Sequence, residues 1–289
     1  AIGSVVVALL ADLTRDEVRT RAMAMIGGSV GLALGIGFVC GPLIAEFVGV
    51  PAIFILIAVL AGLAIPTVLL LVPNPDGPRS GREAGLSLER LTGILKNSNL
   101  WRLHAGIFTA NTTLRAIFVV VPFFLQSALG NGREWIVYLS VLLVSGIIMF
   151  PTIFLAERKG RIRDVLMVSV GVLSTGLFVF LLARDNLTGL VVALLFYFVG
   201  FSLVEAILPS LVTRVASESE RGTAMGVFNM SQYLGAFTGS IYGGFFLETT
   251  PSGTVPHTTP WMFGGLIILV SAWSLFSKGL TVPDSKGNR

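Results

Sequence analysis

The chain has 289 residues, of which 54% are hydrophobic and only 12% are charged, and its formal net charge is +4. An ordinary soluble domain carries about 25% charged residues, and a globule of this size cannot bury so much apolar side chain behind a polar surface. The composition therefore excludes a water-soluble domain and indicates a polytopic membrane protein.

Apolar segments long enough to cross a bilayer recur along the chain. A membrane core about 30 Å thick requires roughly 20 apolar residues in a helix. The first apolar segment, residues 1–10, has only half that length. No basic stretch precedes it, so it differs from a signal peptide. We expect it to be the end of a helix that begins upstream. Eight complete spans are predicted after it: 23–48, 52–72, 103–129, 135–156, 165–183, 187–212, 223–247 and 261–278.

The first complete span contains the sequence GIGFVCGPLIAEF at residues 35–47. In a soluble helix each interior Gly costs about 1 kcal/mol and a Pro about 3 kcal/mol relative to Ala. In lipid, small residues let helix backbones approach closely, and neighbouring helices satisfy the carbonyl that Pro leaves free. Gly31, Gly35 and Gly41 are therefore expected at a helix–helix contact.

Residues 19–41 resemble residues 221–243 at an ungapped offset. The identical pairs are Arg19/Arg221, Ala22/Ala224, Met23/Met225, Ser29/Ser231, Gly37/Gly239 and Gly41/Gly243. Both segments begin at a basic connection and run in the same direction through the membrane. They predict a parallel repeat of the kind found in transporters built from two six-helix halves, so the complete protein is expected to have about twelve spans.

The basic residues alternate between the connections. Seventeen of the 20 Lys and Arg residues lie in segments 11–22, 73–102, 157–164, 213–222 and the C-terminus, and only two lie in the intervening turns. This pattern predicts that the basic segments, including the C-terminus, are cytoplasmic. Because the charges are spread as orientation signals, they exclude nucleic acid as a partner.

The connection 73–102 divides the predicted spans. Its beginning is polar, and Leu88, Leu91 and Leu95 then mark one face of a short amphipathic helix expected on the cytoplasmic surface. We therefore expect three parts: the remainder of an N-terminal helical half at 1–72, a central cytoplasmic loop at 73–102 and a C-terminal six-helix half at 103–289.

The span 103–129 carries an arginine near its middle, Arg115. Burying a charge at that depth costs roughly 2.5–3.5 kcal/mol on insertion scales. His104 and Asn111 share a helix face with it, at spacings of seven and four residues. The pattern is typical of a polar stripe facing an aqueous cavity; a structural polar pair inside the bundle is the alternative.

The span 187–212 carries a single carboxyl group, Glu205, four residues before Pro209. A carboxyl group held away from water can retain a proton, which a proton-coupling group requires. The alternative is a salt bridge from Glu205 to Arg115 or to an arginine on the cytoplasmic side.

The span 223–247 carries Asn229, Gln232 and Tyr233 at helical spacing. These side chains are predicted to line a substrate cavity. Hydrogen bonding between helices is the alternative.

Two motifs indicate a family. GFVCGPLIAE at 37–46 resembles the antiporter motif g-x-x-x-G-P-x-x-G-G, with Gly37, Gly41 and Pro42 in place and Ala45-Glu46 instead of the final Gly pair. FLAERKGRIR at 154–163 resembles the loop motif G-x-L-a-D-r-x-G-r-k. The residues at its charged end are Glu157, Arg158, Lys159, Gly160 and Arg161, and the departures are Ile153 in place of the leading Gly and Glu157 in place of Asp. The chain thus resembles the major facilitator superfamily, and segments 8–24, 205–214 and 221–235 resemble its YajR-like branch of drug:proton antiporters.

The resemblance implies an all-α major facilitator fold, from the end of its fourth helix to its twelfth. It also implies a multi-pass transporter of the inner or plasma membrane that exports a small amphipathic compound in exchange for protons, by alternating access, as a monomer without a cofactor. In such a family the glycine–proline motif bends its helix and seals the cavity, and the loop motif makes charge–helix contacts that change between conformations. Plain helix packing and a plain topology anchor are the respective alternatives.

Other functions remain to be compared with this one. A uniporter or symporter of a metabolite or sugar has the same fold, and a channel or scaffold would lack coupling to protons. A membrane-embedded enzyme would require paired carboxylates, a His cluster or a nucleophile with its base within the spans, and the sequence has none of these. One cysteine and two distant histidines give no metal-ligand spacing, so no metal is expected.

Overall fold

The computed structural model describes residues 29, 33, 36–37, 40–41, 44–45, 47–71, 92–94, 96–130, 133–183, 186–217, 220–247 and 259–280, with the side chains of residues 71, 157 and 183 excepted. Within these residues the long elements are all helices, which confirms the predicted all-α class. They are α1 Val50–Leu71, α2 Ser98–Leu129, α3 Glu134–Lys159, α4 Ile162–Ala183, α5 Leu187–Val215, α6 Arg221–Phe246 and α7 Thr259–Ser277.

These helices coincide with seven of the eight predicted spans. Six are long and apolar enough to cross a membrane, and the seventh, α6, is more polar and rich in glycine. Two helices extend beyond their predicted spans, since α2 begins at Ser98 and α3 continues to Lys159. The predicted span 23–48 lies mostly outside the described residues; those described between 29 and 47 are helical.

The chain divides into two compact units, Ile2–Gly85 and Leu86–Arg289. In the first unit, Gly49 has a φ of 100° and donates its N–H to the carbonyl of Ile44 at 3.1 Å, which ends the preceding helix just before α1. Along α1 nearly every side chain is exposed and apolar. A helix that is apolar all round is suited to contact with lipid or other membrane helices.

In the second unit, α2 and α5 lie at the centre. α2 packs against α3, α5, α6 and α7, and α5 packs against α2, α3, α4 and α6. The largest buried side chains include Tyr197 on α5 and the stacked rings of Phe180 and Phe263, whose centroids are 5.2 Å apart. Polar side chains on the inward faces of α2 and α5 are therefore close to other helices.

Three glycines at a spacing of four bring α6 against the backbone of α2. A Cβ on Gly235 or Gly239 would collide with the carbonyl oxygen of Phe108 or Thr112, and a Cβ on Gly243 would lie 3.0 Å from the Cα of Ala116. Both sets of contacting residues advance by four along the chain, so the two helices run parallel. The Thr112 hydroxyl also donates to the carbonyl of Gly235 at 3.1 Å. In lipid the hydrophobic effect does not bring helices together, and small residues instead let the backbones come into close van der Waals contact.

Glycine contacts and a side-chain hydrogen bond also hold α4, α5 and α7 in place. Gly176 of α4 lies against the backbone of Tyr197, and Gly200 of α5 lies against the backbone of Leu173, so these helices also approach closely. At the start of α2, the Trp273 indole N–H donates to the carbonyl of Arg102 at 3.0 Å. The N-terminal halves of α2 and α6 and the C-terminal half of α7 consequently lie at the same end of the unit. The C-terminal half of α5 lies there too, since Asn111 of α2 contacts Glu205 and Thr113 contacts Tyr197, earlier on α5.

Replacing Gly239 with Ala is expected to destabilise the protein. The added methyl group would overlap the Thr112 carbonyl, and overpacking of this kind costs about 1–3 kcal/mol. Gly244→Ala is the matched control, because no atom of the described residues lies within 4 Å of a Cβ placed there. The melting temperature of the purified protein in detergent should fall for Gly239→Ala and stay unchanged for Gly244→Ala; equal values for the two variants would contradict the described α2–α6 contact.

Candidate functional site

Three polar side chains from three helices meet inside the second unit. The Glu205 carboxylate of α5 accepts a hydrogen bond from the Gln232 amide of α6 at 2.8 Å and a longer one from the Asn111 amide of α2 at 3.4 Å. The Asn111 amide nitrogen also donates to the carbonyl of Ile107 at 3.2 Å, in the preceding turn of its own helix. We call Asn111, Glu205 and Gln232 the polar centre.

The polar centre lies far from either end of the helices. Asn111 is 13 residues after the start of α2, Glu205 is 10 residues before the end of α5, and Gln232 is 11 residues after the start of α6. At 1.5 Å per residue, all three are about 15–20 Å from the same end of the bundle. In a bilayer core about 30 Å thick, this is near mid-depth.

Glu205 is compensated by neutral donors. Among the described residues it forms no ion pair, and the Arg115 side chain is exposed. The structure therefore does not contain the salt bridge to Arg115 considered as an alternative. A carboxylate without a counter-cation is costly in a medium of low dielectric constant, so the amides of Asn111 and Gln232 carry its stabilisation.

The centre can adapt to a proton on Glu205. A protonated carboxyl group donates one hydrogen bond, and an Asn or Gln side chain can present its oxygen as acceptor in place of its NH2 group. The structure thus places a carboxyl group between two amide side chains that can form hydrogen bonds with either of its protonation states.

A second pair of polar side chains joins α2 and α5. The Thr113 hydroxyl and the Tyr197 hydroxyl lie 2.9 Å apart and are buried. Tyr197 is two turns before Glu205 on the same helix. Neither residue was identified from the sequence, although Tyr197 is a polar group at membrane depth, which is the same signal that identified Glu205.

The residues grouped on one face of α2 have different surroundings. His104 is 1% exposed and lies beside the ring of Phe228, with 6.3 Å between ring centroids. Asn111 is buried and its amide bonds to Glu205 of α5, whereas the Arg115 side chain is exposed. The polar stripe facing an aqueous cavity stays a prediction, and Arg115 is the one of its three members with an exposed side chain.

The three predicted cavity residues of α6 also differ. Gln232 makes the hydrogen bond between helices that was the alternative for this group. Tyr233 is 68% exposed and Asn229 is half-buried. The structure thus assigns a contact to Gln232 and leaves Tyr233 at the surface of the unit.

The loop motif forms a tight turn between α3 and α4. Gly160 has a φ of 65°, and the Arg161 N–H donates to the carbonyl of Ala156 at 2.9 Å, a glycine-terminated helix end. The Arg161 guanidinium pairs with Asp164 at 2.7 Å within the same turn. Arg158 and Lys159 are exposed, and the Glu157 side chain lies outside the described residues.

The antiporter-like motif is described only in part. Gly37 and Gly41 are helical, and no described atom lies within 4 Å of a Cβ placed on either one. Pro42 lies outside the described residues. In the repeat, Gly37 and Gly41 correspond to Gly239 and Gly243, which pack against α2 in the second unit.

No group of three His, Cys, Asp or Glu side chains that could hold a metal ion occurs in the part of the chain that the structure describes.

Comparison with known proteins gives matches over most of the chain. Residues 1–240 match the family model described as Major Facilitator Superfamily. The chain is 37% identical over 246 residues to the inner membrane transport protein YajR of Escherichia coli K12, an alignment covering 85% of the chain and 54% of the relative. It is 30% identical over 241 residues to the uncharacterized transporter BU466 of Buchnera aphidicola subsp. Acyrthosiphon pisum, covering 83% of the chain and 62% of the relative. The chain therefore spans less than two thirds of the length of these relatives.

Replacing His104 with Leu is expected to stabilise the protein. Neither ring nitrogen of His104 has a hydrogen-bond partner in the described part of the structure, and an unsatisfied buried polar group costs about 1–3 kcal/mol. Thr113→Val, which removes a satisfied hydrogen bond to Tyr197, is expected to lower stability instead. Unfolding of the purified variants in detergent measures both effects, and a large loss of stability in His104→Leu would show that the imidazole has a stabilising partner.

Proposed function

This chain belongs to the major facilitator superfamily of membrane transporters, and we propose that it functions as a proton-coupled antiporter that exports a small amphipathic compound. The polar centre supports this proposal. If a carboxylate near mid-depth were paired with an arginine or lysine, taking up a proton would leave that cation buried and unpaired. Glu205 is held by neutral amides, so it can take up and release a proton without this cost. The two relatives are named as a transport protein and an uncharacterized transporter, so the substrate and the coupling are our inference.

Protonation of Glu205 would change the contacts between helices. The carboxylate accepts hydrogen bonds from α2 and α6 at once. After protonation, one carboxyl oxygen becomes a donor, and one of the two amides has to present its oxygen to keep its bond. The preferred arrangement of α2, α5 and α6 would therefore depend on the proton, which is what alternating access requires of a coupling site.

Substrate contacts are proposed for the polar side chains that remain accessible. Arg115 and Tyr233 are exposed, and Asn229 is half-buried. Aromatic and amide groups of this kind suit an amphipathic compound, which has an apolar body and a polar part. We further propose that 1–72 and 103–289 belong to the two halves of the transporter, joined by 73–102, and that the protein acts as a monomer.

A metabolite or sugar uniporter or symporter is the second candidate. It is favoured by Ala45-Glu46, which stand where the antiporter motif has two glycines. A uniporter would not depend on the carboxyl group of Glu205.

Glu205→Gln is expected to abolish proton coupling, because a side-chain amide does not take up a proton at the pH values at which a protein is folded and active. The protein is reconstituted in proteoliposomes that contain a pH-sensitive dye, and ethidium is added as an amphipathic probe. Ethidium-driven proton flux should fall to the level of empty liposomes in Glu205→Gln and persist in Glu134→Gln, which alters a carboxyl group in the first turn of α3.

An infrared difference spectrum between acidic and alkaline buffer gives a reading that needs no substrate. The other Asp and Glu side chains also contribute to the band of protonated carboxyl groups, so the expected signal is one component of that band. This component should be present in the unmodified protein and in Glu134→Gln, and absent in Glu205→Gln. An unchanged band together with unchanged proton flux in Glu205→Gln would exclude Glu205 as the coupling group.

We also propose that the α3–α4 turn and the C-terminus face the cytoplasm of the inner or plasma membrane. Cys40 is the single cysteine, so Cys40→Ser gives a background for labelling. Arg158→Cys should react with a membrane-impermeant maleimide only after the cells are opened, whereas Arg133→Cys, at the other end of α3, should react from outside. The reverse pattern would overturn the topology.

A further inference from the structure

One end of the second unit brings together basic residues from distant parts of the chain. The Arg102 guanidinium of α2 donates to the carbonyls of Phe276 at 3.0 Å and Gly279 at 2.9 Å, at the end of α7. The Arg163 guanidinium of α4 donates to the carbonyl of Lys278 at 2.7 Å. The start of α2, the α3–α4 turn and the end of α7 therefore form one surface.

This surface carries more positive than negative charge. In the described part of the α3–α4 connection the acidic residues are Asp164, which pairs with Arg161, and Glu157, whose side chain is outside the described residues; Glu220 lies nearby, with its carboxyl 3.5 Å from a Cβ placed on Gly93. The six basic groups of the surface, which we call the basic end surface, are Arg102, Arg158, Lys159, Arg161, Arg163 and Lys278.

Apart from Arg161, these cations form no ion pair with a side chain that the structure describes. Arg102 and Arg163 donate to backbone carbonyls, which are neutral and leave the guanidinium charge intact. Arg158, Lys159 and Lys278 are exposed and form no ion pair with the described side chains. An anion at this end of the bundle would thus meet several free donors at once.

Exposed apolar side chains lie directly beside the basic end surface. Leu275 and Phe276, in the last turn of α7, are 63% and 45% exposed, and Phe154 and Leu155, one turn before Arg158, are 64% and 50% exposed. Basic groups at the end of a helix and apolar groups on its sides match the two parts of a phospholipid, the charged headgroup and the acyl chains. A nucleic acid or an acidic protein segment would gain nothing from the apolar part.

We propose that the basic end surface binds the phosphate headgroup of an anionic phospholipid, with the acyl chains lying along α3 and α7. The ends of membrane-spanning helices lie at the level of the lipid headgroups, and clusters of Lys and Arg at that level attract anionic lipids. A bound headgroup would bridge the α3–α4 turn and the end of α7, adding to the bond that Arg163 makes to the carbonyl of Lys278.

Native mass spectrometry of the purified protein tests this inference. The protein is delipidated and then exposed to mixed vesicles of equal phosphatidylglycerol and phosphatidylcholine. The unmodified protein should retain phosphatidylglycerol preferentially, and the preference should fall about fivefold for each charge removed in Arg158→Gln and in Arg158→Gln/Lys159→Gln. Neither substitution touches a described contact to α7, so folding should be preserved, and the melting temperature in phosphatidylcholine alone checks this.

Two control variants separate charge from structure. Arg133→Gln removes an exposed charge at the opposite end of α3 and should leave lipid retention unchanged. Arg163→Lys keeps the charge but replaces the planar guanidinium, and it should retain the phosphatidylglycerol preference.

Three outcomes would overturn the proposal. They are equal retention of the two lipids by the unmodified protein, an unchanged preference in Arg158→Gln/Lys159→Gln, and complete displacement of phosphatidylglycerol by inorganic phosphate, which would indicate a site for soluble anions. The measurement involves no transport, so its failure would leave the proposal of proton-coupled export untouched.

Discussion

The direct contact between the backbones of α2 and α6 is the constraint on which the polar centre depends. Gly235 and Gly239 leave no room for a side chain between the two helices. This distance lets the short Asn111 side chain and the Gln232 side chain reach the same carboxylate. With a bulkier residue at either glycine, α6 would move away from α2, and Glu205 would lose one of its two donors.

Close packing of this kind replaces the hydrophobic effect inside a membrane. Lipid tails are as apolar as Leu, so apolar side chains gain little by leaving them, and van der Waals contact and hydrogen bonds decide which helices associate. The α2–α6 pair uses both, since Thr112 bonds to the carbonyl of Gly235 at the point where the backbones meet. The same packing buries His104 without a hydrogen-bond partner among the described residues, a cost that the surrounding contacts offset.

The polar centre and the basic end surface have different chemistry. Near mid-depth, Glu205 is held by neutral amides, and protonation can remove its charge. At the end of the bundle, Arg102 and Arg163 keep their charge, because backbone carbonyls cannot neutralise it. One unit therefore combines a carboxyl group held by neutral amides with a surface whose guanidinium charges are permanent.

The sequence by itself determined the membrane class, the positions of seven described helices and the family, because these follow from local composition and from motifs within single segments. It also identified Asn111, Glu205 and Gln232 one by one as polar groups at membrane depth. Their convergence was decided by the tertiary structure: 94 residues separate Asn111 from Glu205, and helical spacing specifies a face without specifying which helix covers it. For that reason His104 and Arg115, assigned to one stripe, differ in burial, and the contact between Arg163 and Lys278 has no signal in the sequence.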